Sequence, residues 1–284
     1  MSRIVPALFV LLCAVGCDGL TYSRPERPQE PQREYGTQFD SAKCGTISGT
    51  VTWVGDMPIE KPVTFAKLGA NGLQTVELPN PNRPIIDVAS RGVASAVVYL
   101  SGIDVSRAKP WSASHVSVEL DDERIAFGNG ERYGFVPVGG TVAYTSSRAT
   151  ISGIRARGAA YFTQMFPNDA STVSRTFPSP GRVQLTSASG QYWATGDLFV
   201  MDHPYYTTTN ATGHFEFNDV PTGTYTLHCW HPNWQVARQE RDPETGSVTR
   251  QKYADAVEQK QPVTVELKCT TVQFTLKNEQ FPAK

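Results

Sequence analysis

Apolar and polar residues alternate along most of this chain. Ile47, Gly49, Val51 and Trp53 are interleaved with Thr46, Ser48, Thr50 and Thr52, the period-two pattern of a strand with one buried face. Gly55-Asp56-Met57-Pro58 then turns the chain. Ala96-Val97-Val98-Tyr99-Leu100 reads as a continuously buried strand, and Val116, Val118 and Leu120 alternate again. Gly139-Gly140 is a hairpin-like break between apolar runs, and residues 183–185 and 198–201 are further strands. Between Tyr205 and Trp230, two turns, Asn210-Ala211-Thr212-Gly213 and Val220-Pro221-Thr222-Gly223, separate three strand patterns. Each turn supplies glycine where a positive φ is needed. Residues 263–267 and 272–276 give the last strands, and the polar stretch before them, residues 238–260, reads as an exposed excursion. Helical periodicity is scarce. Many short strands with closely spaced turns predict an all-β chain built of sandwiches.

Composition agrees with this picture. The 284 residues contain 23 glycines and 20 prolines, which favours short strands over long helices. Basic and acidic residues nearly balance, 26 against 27, so the concentrated basic charge of a nucleic-acid binder is not expected. The first residues read differently. Arg3 precedes a short apolar run over residues 4–15, below bilayer-spanning length, which ends at Ala14-Val15-Gly16-Cys17. Small residues before a cysteine at that place resemble a bacterial lipobox, although leucine is commoner where Ala14 stands. The resemblance implies cleavage before Cys17 and acylation of Cys17, and two or three acyl chains hold a protein stably on a membrane. Asp18 resembles an inner-membrane retention signal. Pro25, Pro28 and Pro31, among charged and amide residues, mark a flexible tether with no apolar face.

Two family resemblances follow from the remaining motifs. Residues 45–51, Thr209-Asn210-Ala211-Thr212-Gly213-His214-Phe215 and residues 220–227 resemble the carboxypeptidase regulatory-like sandwich, which is similar in fold to starch-binding-type, carbohydrate-binding-like modules. Residues 93–201, followed by Asp202-His203-Pro204-Tyr205 and Trp230-His231, resemble the bacterial cupredoxin (plastocyanin-like, methylamine-utilisation-like) family. Together they imply a signal peptide over 1–16, a lipidated, disordered tether over 17–43, a regulatory-like sandwich from 44–92 plus 202–284, and a cupredoxin-like sandwich over 93–201. The second sandwich is nested in or adjoins the first. A blue-copper site needs two imidazoles, a thiolate and a weak axial thioether. In the family register, Ser152 stands at the first histidine, Ala188 at the cysteine, Gln191 at the second histidine and Ala194 at the methionine. Residues 116–201 contain neither cysteine nor histidine in any register. Type 1 copper is therefore not expected.

Other constellations add less. A zinc site from His203, His228 and His231 is outweighed by structural roles for these residues. Asp121-Asp122-Glu123 reads as a solvated turn, and Asn210-Ala211-Thr212 is a turn before it is a glycosylation sequon. The sequence has no Gly-x-Ser-x-Gly elbow, His-Glu-x-x-His helix, P-loop or dinucleotide fingerprint, so catalysis has no positive support. Tyr205, Tyr206, Trp230 and Trp234 are candidates for stacking on sugar rings, a role outweighed by filling the core and its rim. Cys44, Cys229 and Cys269 remain after the leader, an odd number; Cys44–Cys269 is the expected disulfide, Cys229–Cys269 the alternative, and Cys229 reads as a buried thiol. The expected function is a non-catalytic, cofactor-free lipoprotein of the bacterial cell envelope, periplasmic or surface-facing. Its expected partners are the membrane and an envelope protein or glycan. The alternatives are a carbohydrate-binding module and a redox or metal-handling cupredoxin relative with an atypical site.

Overall fold

A computed structural model describes residues 35–69, 72–128, 130–148, 150–167 and 171–283, all within one compact unit, Arg33–Lys284. Among them the regular structure is β apart from two single 3-10 turns, Ser41–Lys43 and Asn278–Gln280. The chain is an all-β protein with two sandwiched cores.

In the first sandwich, Cys44–Trp53 pairs antiparallel with His214–Pro221 and parallel with Cys269–Leu276. The facing sheet orders Tyr206–Thr208, Val97–Ser101, Gly223–His231 and Val257–Val265. Strict alternation sends Ile47, Val51 and Trp53 into one core with Val98, Leu100, Leu227 and Cys229. In the second sandwich, Val173–Thr176, Thr141–Ser146, His115–Leu120 and Ile125–Phe127 form one sheet. Phe162–Phe166, Ser152–Gly158, Gly181–Ser187, Thr195–Met201 and Tyr133–Pro137 form the other. Val118, Tyr144, Ile154, Leu185 and Leu198 meet between them.

A third cluster explains the uninterrupted apolar runs. Val97 and Trp230 leave the first sandwich on its outer face and pack with Tyr133, Phe199 and Met201 from the outer face of the five-stranded sheet. Strands buried on both faces lose their alternation. Trp230 stands edge-on to Tyr133 and Phe199, with centroids 5.7 and 5.2 Å away, a favourable quadrupole geometry.

The predicted turns exist, but they do not make hairpins. Gly139-Gly140 joins Tyr133–Pro137 to Thr141–Ser146, which lie in opposite sheets of the second sandwich. The turns at Asn210 and Thr222 likewise carry the chain from sheet to sheet of the first. Alternation reports which face is buried and is silent on which strand is the neighbour. Gly213 is required at its turn: its φ is +79°, and a Cβ there would lie 2.3 Å from the Val51 carbonyl oxygen.

Two hairpins absent from the sequence reading are present. Val63–Gly69 pairs with Gly72–Leu78 and packs on the second core, where Phe65 stacks on Trp193 at 3.7 Å. The second hairpin, Val236–Arg241 with Val248–Tyr253, occupies the expected polar excursion.

Cys17 and most of the expected tether lie outside the described residues. The last part of that segment, residues 35–43, is ordered: Gly36 and Gln38 donate backbone hydrogen bonds to the Val105 and Ser106 carbonyls, and Asp40 caps the Ser41–Lys43 turn. Among the described residues no helix is long and apolar enough to cross a membrane. The expected Cys44–Cys269 disulfide is not formed, and Cys44, Cys229 and Cys269 are all free thiols. Cys269 stands in register with Thr46, two positions from Cys44. Standard strand spacings then separate the two Cα atoms by roughly 8 Å, beyond disulfide reach. Cys229 is sealed in the first core, and burial pushes its thiol up to about 12.

Candidate functional site

The four positions that the resemblance sets against copper ligands come together at one end of the second sandwich. Ser152 opens its strand, and the Ala188 N–H donates to the neighbouring Gly153 carbonyl at 2.7 Å. Ala194 donates to the Gln191 carbonyl and accepts from Ser187, both at 3.0 Å. The side chains between them bond to one another and to backbone. Ser146 and Ser152 hydroxyls lie 2.7 Å apart, and Ser146 donates on to the Leu120 carbonyl. Gln191 donates its amide to the Asp121 carbonyl at 2.8 Å and accepts from Ser187 at 3.1 Å. Arg148 closes the rim through Ser189 and Asp122.

Two methyl groups, a hydroxyl and an amide offer none of the imidazole or thiolate donors that copper requires. Ser152 and Gln191 are buried with their hydrogen-bonding capacity engaged. The residues present do not fit type 1 copper. Among the described residues, no group of three or more His, Cys, Asp or Glu side chains could hold a metal ion.

Core packing accounts for three of the four candidate stacking aromatics. Tyr205, Trp230 and Trp234 are 0%, 5% and 3% exposed, because each completes a core. Tyr205 donates to the Asp219 carbonyl and accepts from the Lys109 N–H. Trp234 packs on Phe281 at 4.6 Å and on Trp53 at 6.0 Å. Tyr206 is half-buried and stacks on Phe135 at 4.2 Å.

The histidines do not converge on a zinc site. His231 is fully buried and shares its Nδ1 proton with the Pro232 carbonyl at 2.7 Å. Burial, reinforced by Arg132, lowers its pKa to about 3 from 6.5. The unfolded chain therefore binds a proton below about pH 6.5 that the folded chain refuses until about pH 3. Stability is complete above that window and falls as pH drops through it. At pH 5 the expected loss is about 2 kcal/mol relative to pH 7.5. Urea unfolding of wild type and His231→Gln at several pH values checks this, and the variant should show the flatter dependence.

His228 forms a longer chain. Its Nε2 lies 2.8 Å from Ser101 Oγ and its Nδ1 3.2 Å from Glu258 Oε1. The order Ser, His, carboxylate is that of an acyl-transfer relay. Here the imidazole is stacked on Tyr99 at 4.4 Å, and Glu258 also accepts from Tyr99 and pairs with Lys260. Partial burial raises the Glu258 pKa, but these hydrogen bonds outweigh it and leave it below the usual carboxylate range. The chain ties three neighbouring strands, Val97–Ser101, Gly223–His231 and Val257–Val265, across one sheet face.

A cleft of about 340 Å³ lies between the five-stranded sheet and the Val236–Arg241/Val248–Tyr253 hairpin. Its floor continues the sheet face whose other half carries Tyr133 and Phe199. Moving from Thr195–Met201 to Gly181–Ser187 and Ser152–Gly158, that face changes from aromatic to cationic, with Arg182 followed by Arg155 and Arg157. Sequence reading missed this site because its residues come from strands whose adjacency is tertiary. The alternation of Arg155 and Arg157 with buried Ile154 and Ala156 was the available signal.

One family model matches part of the chain: the BOS complex subunit NOMO1-like, second beta sandwich domain, over residues 202–258. That segment spans three strands of the first sandwich and the cationic hairpin. No curated protein matches the chain. Among solved structures, the chain is similar to a purple cupredoxin from Nitrosopumilus maritimus, at 18% identity over 31% of this chain and 100% of that one, with TM-score 0.26. An oxidized mutant of amicyanin matches at 16% identity over 33% of this chain and 86% of its own, with TM-score 0.25. A chain from a heme-copper terminal oxidase dimer matches at 16% identity over 35% and 76%, with TM-score 0.27.

Proposed function

We propose that this chain is a non-catalytic binding module, lipid-anchored in the bacterial cell envelope, with a cupredoxin-like lobe that works without copper. The first sandwich, regulatory-like in its turn motifs, and the second lobe together form a rigid body that presents a ligand-binding surface. The observation that supports this reading is a pair of internal hydrogen bonds, Ser146 to Ser152 and Ser187 to Gln191, which engage Ser152 and Gln191, two of the positions that the family register sets against copper ligands. A structural role for His228 fits this reading, since its imidazole is stacked on Tyr99 and links three strands.

The test is a copper titration of the purified full chain, with a fluorophosphonate-labelling arm. Copper(II) should give no blue absorption band, and the fluorophosphonate should leave the intact mass unchanged. Stoichiometric blue copper binding would restore an electron-transfer role. Labelling that disappears in Ser101→Ala would replace the binding reading with a hydrolase.

A further inference from the structure

We infer that the cationic cleft binds an acidic oligosaccharide, with Arg155, Arg157, Arg182 and Lys252 taking its carboxylates. The inference rests on the binding-module reading and names its ligand.

Arg155 and Arg157 project from the same face of Ser152–Gly158, opposite the core residues Ile154 and Ala156. Their cross-strand partners, Thr186 and Gln184, also line the cleft. On that same face Arg182 is fixed from below: Asp197, only 4% exposed, holds its Nη1 at 3.2 Å, and its guanidinium lies 5.2 Å from the Trp230 ring centre. A buried carboxylate and an aromatic face pre-set this arginine, so little side-chain freedom remains to be lost when an anion arrives.

The other cations fall into two groups. Across the cleft, Glu240 pairs with Arg238 and Arg250 at 3.2 and 3.9 Å. Among the described residues, Arg155, Arg157 and Lys252 form no ion pair. Like charges gathered on one strand face repel, and an anionic ligand relieves that repulsion. The rest of the lining decides which anion. Gln184, Thr186 and Gln251 offer neutral donors and acceptors matched to sugar hydroxyls, which a polyphosphate lacks. The volume is within the range of small-ligand sites, roughly 300–1,000 Å³.

The experiment is a titration of the full chain in detergent with an oligogalacturonate, a neutral malto-oligosaccharide and inorganic polyphosphate. The oligogalacturonate should bind with an affinity that falls as salt rises. Arg155→Glu with Arg157→Glu should weaken it at least ten-fold without changing the Tm. Lys252→Glu, on the opposite wall, should weaken it too and serves as the readout if the double variant does not fold. Absence of oligogalacturonate binding, equal binding of either comparison ligand, or insensitivity to these substitutions would overturn the proposal. Copper is added in a parallel arm. A blue band there would remove the copper-free reading, whereas lost glycan binding without a band would remove only the ligand assignment.

Discussion

Replacing Trp230 with alanine is expected to destabilise the protein by about 3–5 kcal/mol, the usual cost of emptying a large aromatic site. Trp230 is 5% exposed and lies where the two sandwiches meet. Its removal strips the edge contacts of Tyr133 and Phe199 and the Arg182 guanidinium together. Because this cluster joins two separate cores, the variant should also unfold in two resolved steps where wild type unfolds in one. Urea denaturation followed by tryptophan fluorescence and by circular dichroism checks both points. Ile151→Ala is the control, since that side chain is 65% exposed and should change stability by less than about 0.5 kcal/mol. A Trp230→Ala loss of the same small size would mean that the lobes are not held through this cluster.

Cys17→Ser should have the largest effect on where the protein resides. Acyl chains contribute about 0.8 kcal/mol per buried CH₂, and two or more make membrane attachment stable. The variant should move from the detergent phase to the aqueous phase on Triton X-114 partition and lose incorporation of labelled palmitate. A variant that stays in the detergent phase would end the role assigned to Cys17.

The sequence made faces legible and neighbours illegible. The Cys44–Trp53 alternation appears residue by residue as half-buried and buried positions, since burial of one face is a local pattern. The unbroken run at 96–100 announced burial but not that Val97 and Val98 enter different clusters. The aromatic quartet stayed open between two roles because a sequence does not distinguish a tryptophan that fills a core from one that faces a sugar. The absence of histidine and cysteine from residues 116–201 was readable because absence of a residue type needs no fold. The cationic cleft was not, because Arg155, Arg182 and Lys252 meet only after two strands and a hairpin have assembled.

The pairing of Cys44–Trp53 with Cys269–Leu276 dictates an order of events as the chain emerges. Thr52 bonds to a carbonyl 222 residues further along the chain, at Phe274. The inserted lobe draws its core from residues 118–200 and one preceding hairpin, so all of its strands emerge first. Such an early, more local unit folds ahead of long-range pairings. The opening strand must therefore wait, with one edge unpaired, until the last strand arrives. For that interval it is an aggregation-prone edge, the part of this protein that a chaperone would have most reason to hold.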